Sequence, residues 1–279
     1  MRLRCLAPGK VNLSLFVGAP REDGLHPLVS VVQPISLADE LTLEPARGTA
    51  TDVVECPGVE GDNLAGAALA AFREATGWDA PPQRLTIRKR VPVAAGMGGG
   101  SGDAAAALRL AAHAAGVGDE ALLLKLAARL GGDVPSQVAP GRTLMTGAGE
   151  HVRALAPAGS LALVILPSEH ALSTPAVYRE FDRLGVQRSG AELAELEARG
   201  GDLPVHNDLQ DAARSLCPAI DEALALAGVA GAEHVLVSGS GPTVFGLYRD
   251  PDRALAAAEA IGGIAAEPVG ADFGAVHEA

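Results

Sequence analysis

The sequence predicts an α+β fold, and three observations support this prediction. Apolar runs rich in Val, Leu and Ile, which are typical of strands, cluster in the first ninety residues. Further along the chain such runs alternate irregularly with helical patterns, so a regular βαβ repeat is not indicated. The chain has 279 residues, which at about 150 residues per domain suggests one large domain or two modest ones, and we expect two.

The hydrophobic periodicity places the individual elements. Strands are predicted over 11–17, 28–37, 40–44, 84–88, 161–166, 234–238 and 243–248. Helices are predicted over 63–75, 102–115, 119–130, 174–183, 190–199, 208–228 and 252–260.

A domain boundary is expected where Pro, Gly and Ser interrupt the periodic segments, at 155–160. The predicted domains are therefore residues 1–157 and residues 158–279.

The composition argues against several classes of binding partner. The formal net charge of -12 argues against a nucleic-acid or anionic-membrane surface, because such binding depends on clustered Lys and Arg. The three cysteines are far apart and show no C-x-x-C spacing, which argues against a zinc site and favours a reducing compartment. No apolar run approaches the roughly 18 residues of a membrane span. We therefore expect a cytoplasmic protein whose partner is a small molecule, and the sequence leaves its oligomeric state open.

The stretch PVAAGMGGGSGDAAAALRLAA, residues 92–112, carries the strongest functional signal. Glycine allows close approach of the backbone to a ligand, and a helix that begins after it directs unpaired N–H groups and a partial positive charge at the loop. This combination predicts a phosphate site over residues 96–102 and a helix that begins between Gly100 and Asp103, capped by Ser101 or Asp103. The alternative is an ordinary glycine-rich turn in a chain with 34 glycines.

Several common motifs are absent. The P-loop spacing G-x-x-x-x-G-K-[ST] does not occur, and G-x-G-x-x-G counted from Gly96 and Gly98 ends on Ser101. No G-x-S-x-G elbow surrounds Ser101 or Ser240, which argues against a serine hydrolase.

Three further segments extend the glycine stretch into a pattern: residues 6–32, 130–150 and 237–247. In this order, and over nearly the whole chain, the four segments resemble the GHMP small-molecule kinases. Asp-Gly-x-His at 23–26 and Gly-Asp-Val-Pro at 132–135 resemble the branch of that family that acts in isoprenoid precursor biosynthesis.

The resemblance implies a fold and a reaction. The fold would have an N-terminal α+β domain of ribosomal-protein type and a C-terminal ferredoxin-like domain, with the active site in the cleft between them. The reaction would be transfer of the γ-phosphoryl group of ATP, with Mg²⁺, to the tertiary hydroxyl of a cytidine-diphosphate-linked tetrol.

By this resemblance Lys10 is the catalytic lysine and Asp133 the catalytic base. Only three of the 22 Lys and Arg residues are lysines, so a lysine among apolar strand residues is unusual for this chain. The alternatives are a solvated charge at a strand edge for Lys10 and an ordinary turn for Asp133, which stands between Gly132 and Val134.

The remaining site residues are also implied by the resemblance. Asn12, His26, Thr174, Tyr178 and Gly239 are expected to contact the acceptor, and Ser101 is a possible magnesium ligand. The residues expected to bind the nucleotide are Pro92, Ala95, Gly96, Met97, Gly98, Gly99, Gly100, Ser101 and Gly102.

Two positions depart from the family pattern. The family usually has Tyr where this chain has Leu25, and that aromatic stacks on the cytosine; Tyr178 corresponds to a second stacking aromatic. Gly102 replaces a usual second serine. A kinase for another small alcohol and a non-catalytic ligand-binding module therefore remain as alternatives.

The segment SGSGP, residues 238–242, predicts a tight turn between two strands. Asn207 is well suited to cap the helix that follows it.

Overall fold

The computed structural model describes residues 1–279 and contains two sheets. The first sheet has eight strands, and its main path runs β12-β1-β2-β4-β3. Strand β5 pairs with β2 and β6, and β8 pairs with β1. The bounds are β1 Leu3–Val17, β2 Leu28–Pro45, β3 Val53–Glu55, β4 Gln83–Arg88, β5 Thr143–Gly147, β6 His151–Ala154, β8 His206–Asn207 and β12 His277–Glu278.

The second sheet has four strands in the order β11-β7-β10-β9, all paired antiparallel. Within this unit the order is 4-1-3-2, and the elements follow one another as βαββαβ, which is the ferredoxin-like arrangement. The bounds are β7 Ala162–Leu166, β9 His234–Val237, β10 Val244–Tyr248 and β11 Ile264–Ala266.

Eight α-helices accompany the sheets. Three of them, α1 to α3, share one core with β1, β2 and β4 of the first sheet. The alanines at 104–107 of α2 are completely buried, and their small side chains allow the helix to lie close to the sheet. The bounds are α1 Leu64–Thr76, α2 Gly99–Ala115, α3 Glu120–Leu130, α4 Thr174–Leu184, α5 Gly190–Arg199, α6 Gln210–Leu216, α7 Ala219–Val229 and α8 Pro251–Ile261.

One hydrophobic cluster joins the two sheets. Val11 and Val29 of the first sheet belong to the same buried cluster as Ile165 and Phe245 of the second. The cleft described below therefore lies between sheets that share a core. No helix of the structure is both long and apolar enough to cross a bilayer.

The predicted strands need several corrections. Strand β1 begins at Leu3, whereas the predicted strand began at 11. Proline is unfavourable within most strands, but Pro8 lies at a shift in the β1–β2 register, where proline is tolerated. Segments 28–37 and 40–44 form one strand, β2, because Asp39 is buried with polar partners and does not end it. The other missed strands, β3, β5, β6, β8, β11 and β12, have five residues or fewer, too short to show a period.

The helix predicted over 208–228 is also wrong, since it is two helices, α6 and α7. The break falls at Cys217 and Pro218; proline lacks an N–H and restricts the residue before it.

Candidate active site

A cleft with a volume of about 460 Å³ opens where β1, the N-terminus of α2 and the turn between β9 and β10 meet. Lys10 lines it from β1, and Asp133 lines it from the loop after α3. Gly239 and Ser240 line it from the turn, and Tyr178 lines it from helix α4.

The glycine stretch forms a loop that ends in a helix. Gly96 and Gly98 have φ angles of 73° and 65°, in the left-handed region that favours glycine. Helix α2 begins at Gly99, and its first internal backbone bond runs from Gly102 N–H to Gly98 O. The N–H groups of its first turn therefore have no acceptor within the helix and are available to an anion.

The expected side-chain caps are wrong. Gly98 occupies the N-cap position of α2 and no side chain caps the helix. Asp103 is instead held by an ion pair, because Lys89 Nζ donates to Asp103 Oδ2 at 2.8 Å. The first turn thus carries no capping side chain that would compete with a ligand.

The loop packs directly on the turn at 238–242, which the structure confirms as the connection between β9 and β10. A Cβ atom added to Gly96 would lie 2.1 Å from the Ser238 carbonyl oxygen, so only glycine fits there. The Ser238 hydroxyl donates to Gly96 O at 3.0 Å. The two glycine-rich segments therefore hold each other in place.

Lys10 lies at the centre of this contact. Its side chain is only 3% exposed, and its Nζ donates to Asn12 Oδ1 at 2.7 Å and to Gly96 O at 3.1 Å. Asn12 is fixed in turn, since its Nδ2 donates to Ser30 Oγ at 2.8 Å. The ammonium group is thus held in one position by buried partners.

Asp133 faces this ammonium group. Its Oδ2 lies 3.6 Å from Lys10 Nζ, and its side chain is 39% exposed. One group of the pair is buried and fixed while the other opens to the cleft. This asymmetry suits a positioned cation beside a base that a ligand can reach.

A second lysine lies half-buried under the loop and was not singled out as functional from the sequence. Lys89 Nζ pairs with Asp39 of β2 and with Asp103 of α2. A Cβ atom at Gly99 would lie 3.1 Å from this Nζ. Burial outweighs the attraction of Lys89 and raises the pKa of Asp103 to about 6. The sequence offered one signal for Lys89, which is that lysine is rare in this chain.

The acceptor residues expected on α4 and on the loop after β1 come together. The rings of His26 and Tyr178 lie 4.9 Å apart between centroids, and His26 Nδ1 donates to Gly18 O at 2.8 Å. Burial raises the pKa of the Tyr178 phenol, which therefore stays neutral at physiological pH. Leu25, the departure from the family pattern, is 53% exposed.

Thr174 lies on the side of the cleft formed by the turn, where its Oγ1 is 2.9 Å from Ser240 Oγ. Both residues line the cleft with Tyr178. His26 is not among the lining residues and contacts the cleft through Tyr178.

Most of the predicted nucleotide residues line the cleft, and two do not. The side chain of Met97 is buried in the core shared by the sheets, and its carbonyl accepts from Lys10 N at 2.9 Å. Gly102 is buried within α2. The lining residues are Pro92, Ala95, Gly96, Gly98, Gly99, Gly100 and Ser101.

Sequence reasoning missed the far end of the cleft. Cys56, Val59 and Leu64 give it apolar walls, and Asn63 adds a polar group. The Asn63 Oδ1 caps α1 by accepting from Ala65 N, which leaves its amide N–H groups for other partners. These residues are separated from the glycine stretch by about thirty positions and carry no motif.

Two family models match this chain. The model described as the GHMP kinases N terminal domain matches residues 63–141, and the GHMP kinases C terminal model matches residues 178–265. A relative from Streptomyces avermitilis, named 4-diphosphocytidyl-2-C-methyl-D-erythritol kinase, is 42% identical over 94% of this chain and 93% of its own length. A relative of the same name from Kineococcus radiotolerans is 43% identical over 88% of this chain and 81% of its own.

Solved structures similar to this chain include a kinase of the same name as the sequence relatives. A crystal structure of 4-(cytidine 5'-diphospho)-2C-methyl-D-erythritol kinase, 37% identical, matches with a TM-score of 0.76 over 96% of this chain and 99% of that one. Homoserine kinase from Cytophaga hutchinsonii shares the fold, with a TM-score of 0.73 at 16% identity over 99% and 97% of the two chains. The identity and coverage of the sequence relatives, together with the two domain matches, show that this chain belongs to the GHMP kinase family.

Proposed function

We propose that this chain transfers the γ-phosphoryl group of ATP to the tertiary hydroxyl of 4-diphosphocytidyl-2-C-methyl-D-erythritol, a step of isoprenoid precursor biosynthesis. The observation that carries this proposal is the Lys10–Asp133 pair, 3.6 Å apart, beside a glycine loop with free helix N-terminal amides. Support for the acceptor comes from the relatives that carry the name of this kinase at about 40% identity over most of the chain.

Asp133 is the proposed acceptor of the alcohol proton. A carboxylate is a weak base for an alcohol, but a loose transition state postpones much of the proton transfer. Lys10 orients this carboxylate and offsets the negative charge that develops on the transferring group. Its hydrogen bonds to Asn12 and Gly96 keep its position independent of the ligand.

The glycine loop is the proposed phosphate cradle. The amide groups at the start of α2 suit phosphate oxygens because they are unpaired and lie at the positive end of the helix dipole. The nucleotide residues proposed from the sequence, Pro92 and 95–102, form this loop and the start of α2, and all but Met97 and Gly102 line the cleft. The apolar end near Val59 and Leu64 suits the adenine base, with Asn63 as a polar contact.

The residues present also fit Mg²⁺. This ion is usually held by one or two carboxylates together with substrate phosphates and water, so a dedicated cluster of acids is not needed. The Ser101 hydroxyl lines the cleft and would hold it, with phosphate oxygens and water as the other ligands. When bound, the ion would neutralise charge on the phosphoryl oxygens.

The acceptor is proposed to bind between α4 and the turn at 238–242. Asn12 and Gly239 lie beside Lys10. Thr174 and Tyr178 follow along the same wall, and His26 lies behind Tyr178. The division into residues 1–157 and 158–279 is proposed on the same basis, with the acceptor held by side chains from both parts.

The decisive experiment is ADP release by the purified chain with ATP and Mg²⁺. Release is compared with 4-diphosphocytidyl-2-C-methyl-D-erythritol, mevalonate, homoserine and no acceptor. Release with the cytidyl acceptor alone supports the proposal. Release with another alcohol, the second candidate that Leu25 favours, would reject this substrate, and ATP binding without any release would indicate a binding module.

Asp133→Asn tests the proposed base. The amide cannot accept the alcohol proton but keeps the shape of the side chain. We expect kcat to fall by about 10²- to 10⁴-fold, while the Kd for ATP stays close to that of the native chain. Turnover and calorimetric ATP binding are measured on the same preparation, and a variant with native kcat would remove Asp133 from the mechanism.

A further inference from the structure

Asn207 makes an unusual set of contacts for a residue outside the cleft. It lies on β8, a two-residue strand from the C-terminal half that pairs with β1 at Ser14 and Leu15. Its side chain donates to Val237 O and to Gly239 O, both at 2.8 Å, and accepts from Leu209 N at 2.9 Å. The expectation that it caps α6 is wrong, because Leu209 occupies that position.

These contacts fix the carboxamide in one orientation. Both the donor group and the acceptor oxygen are used, and the residue is 5% exposed. The two carbonyls need a donor, so the oxygen of an aspartate in this place would face them without a proton. The chemistry of the site therefore specifies an amide of this length.

The turn that Asn207 holds is the part of the second sheet nearest the reacting groups. Gly239 has a φ angle of 56°, and a Cβ atom there would lie 3.2 Å from Lys10 Nζ and 3.1 Å from Gly96 O. The next residue, Ser240, contacts Thr174. Movement of this turn would therefore disturb Lys10, the glycine loop and the acceptor wall together.

The strand that carries Asn207 is itself anchored. Asp208 Oδ2 accepts from Val17 N at 3.0 Å, and Asp208 Oδ1 accepts from Arg188 Nη2 at 2.7 Å. His206 Nε2 lies 2.7 Å from the same Oδ1. The Asn207 side chain thus connects a fixed strand of the first sheet to the turn of the second.

From these contacts we propose that Asn207 is a positioning residue for phosphoryl transfer: it holds the turn at 238–242 against Lys10 and the glycine loop. It does not touch the cleft and acts through Gly239. The inference rests on the proposed kinase function, because the turn matters for catalysis only if Lys10 does.

A pair of isosteric variants tests this proposal. Asn207→Asp keeps the acceptor for Leu209 but loses the donors to Val237 O, at the end of β9, and to Gly239 O, in the turn. Asp208→Asn weakens the anchoring of the same strand and leaves these contacts intact. We expect kcat of Asn207→Asp to fall by roughly 10- to 100-fold with little change in KM for ATP, as for a displaced catalytic group. Asp208→Asn is expected to lower Tm by about as much as Asn207→Asp does, but to keep native kcat.

A second readout does not depend on turnover. Lys10 is buried beneath the turn and Lys125 is exposed, so acylation of Lys10 followed by mass spectrometry, relative to Lys125, reports how closely the turn is held. Faster labelling of Lys10 in Asn207→Asp but not in Asp208→Asn is expected. If the native chain releases no ADP with the cytidyl acceptor, the proposed function fails and this labelling still tests the role of Asn207.

Native kcat together with native Lys10 labelling in Asn207→Asp would overturn the proposal. Losses of kcat in both variants that are proportional to their loss of folded protein would also overturn it. If Asn207→Asp does not fold, Ser238→Ala removes the bond from the turn to Gly96 O from the other side. The same loss of kcat and faster labelling are then expected, and a native result in both would reject the role of the turn.

Discussion

Gly96 shows how a single missing side chain shapes the site. Its positive φ and the 2.1 Å distance from its Cβ position to Ser238 O leave no room for any other residue. We expect Gly96→Ala to separate the loop from the turn and abolish turnover. Gly190→Ala at the start of α5 is the matched control, because its Cβ position has nothing within 4 Å and it lies outside the cleft, and it should keep the native Tm and turnover. The two variants are compared by thermal unfolding and ADP release, and equal behaviour would contradict this packing.

Leu25 is the residue at which this chain differs most clearly from the family pattern. It is exposed and adjacent to His26, whose ring lies 4.9 Å from that of Tyr178. An aromatic ring here would add a stacking face worth about 1 kcal/mol, so Leu25→Tyr should lower KM for the cytidyl acceptor by about fivefold. KM for ATP is the internal control. A higher KM for the acceptor would show that the base is held in another way.

At the scale of elements, helix α2 is anchored by a buried group of charges. Lys89 of the segment after β4 joins Asp103 of α2 to Asp39 of β2. Asp103 is buried, and its Oδ1 has no hydrogen-bond partner. The helix whose N-terminal amides are proposed to bind phosphate is therefore held through a single lysine and two carboxylates.

This arrangement predicts a pH dependence of stability. The folded-state pKa of Asp103, about 6, exceeds the ordinary aspartate value of 3.8, so the folded state binds more protons between these values. Its contribution to stability is complete below pH 3.8 and is lost as the pH rises through 6. Relative to Asp103→Asn, the native chain should therefore lose free energy of unfolding between pH 4 and pH 7. Urea unfolding at several pH values measures this difference, and a constant difference would contradict the assignment.

The elements also show what the sequence could and could not predict. The helices other than the one predicted over 208–228, and the turn at 238–242, were predicted within a few residues, because their apolar spacing and glycines are local signals. Strand β2 was divided at Asp39, since a charge in a strand reads as a break unless its distant partner, Lys89, is known. The roles of Asn207 and Lys89 were missed for the same reason: their partners lie far away in sequence.

At the scale of the whole molecule, the two sheets are joined more firmly than a boundary at 157/158 suggests. Strands β8 and β12 lie beyond that boundary in sequence, and both pair with β1. One buried cluster contains side chains of both sheets. Domains with a large apolar interface do not behave as independent bodies.

We therefore expect the chain to unfold in one cooperative transition. Removing the second sheet would expose the apolar face of the first, including Val11 and Val29, at a cost of about 25 cal/mol for each Å² of apolar surface. In calorimetry, the measured enthalpy should equal the van't Hoff enthalpy, and tryptophan fluorescence should report the same midpoint. The single tryptophan, Trp78, lies beside the first sheet's core, so two separated transitions, with fluorescence following only one, would show that the parts unfold independently.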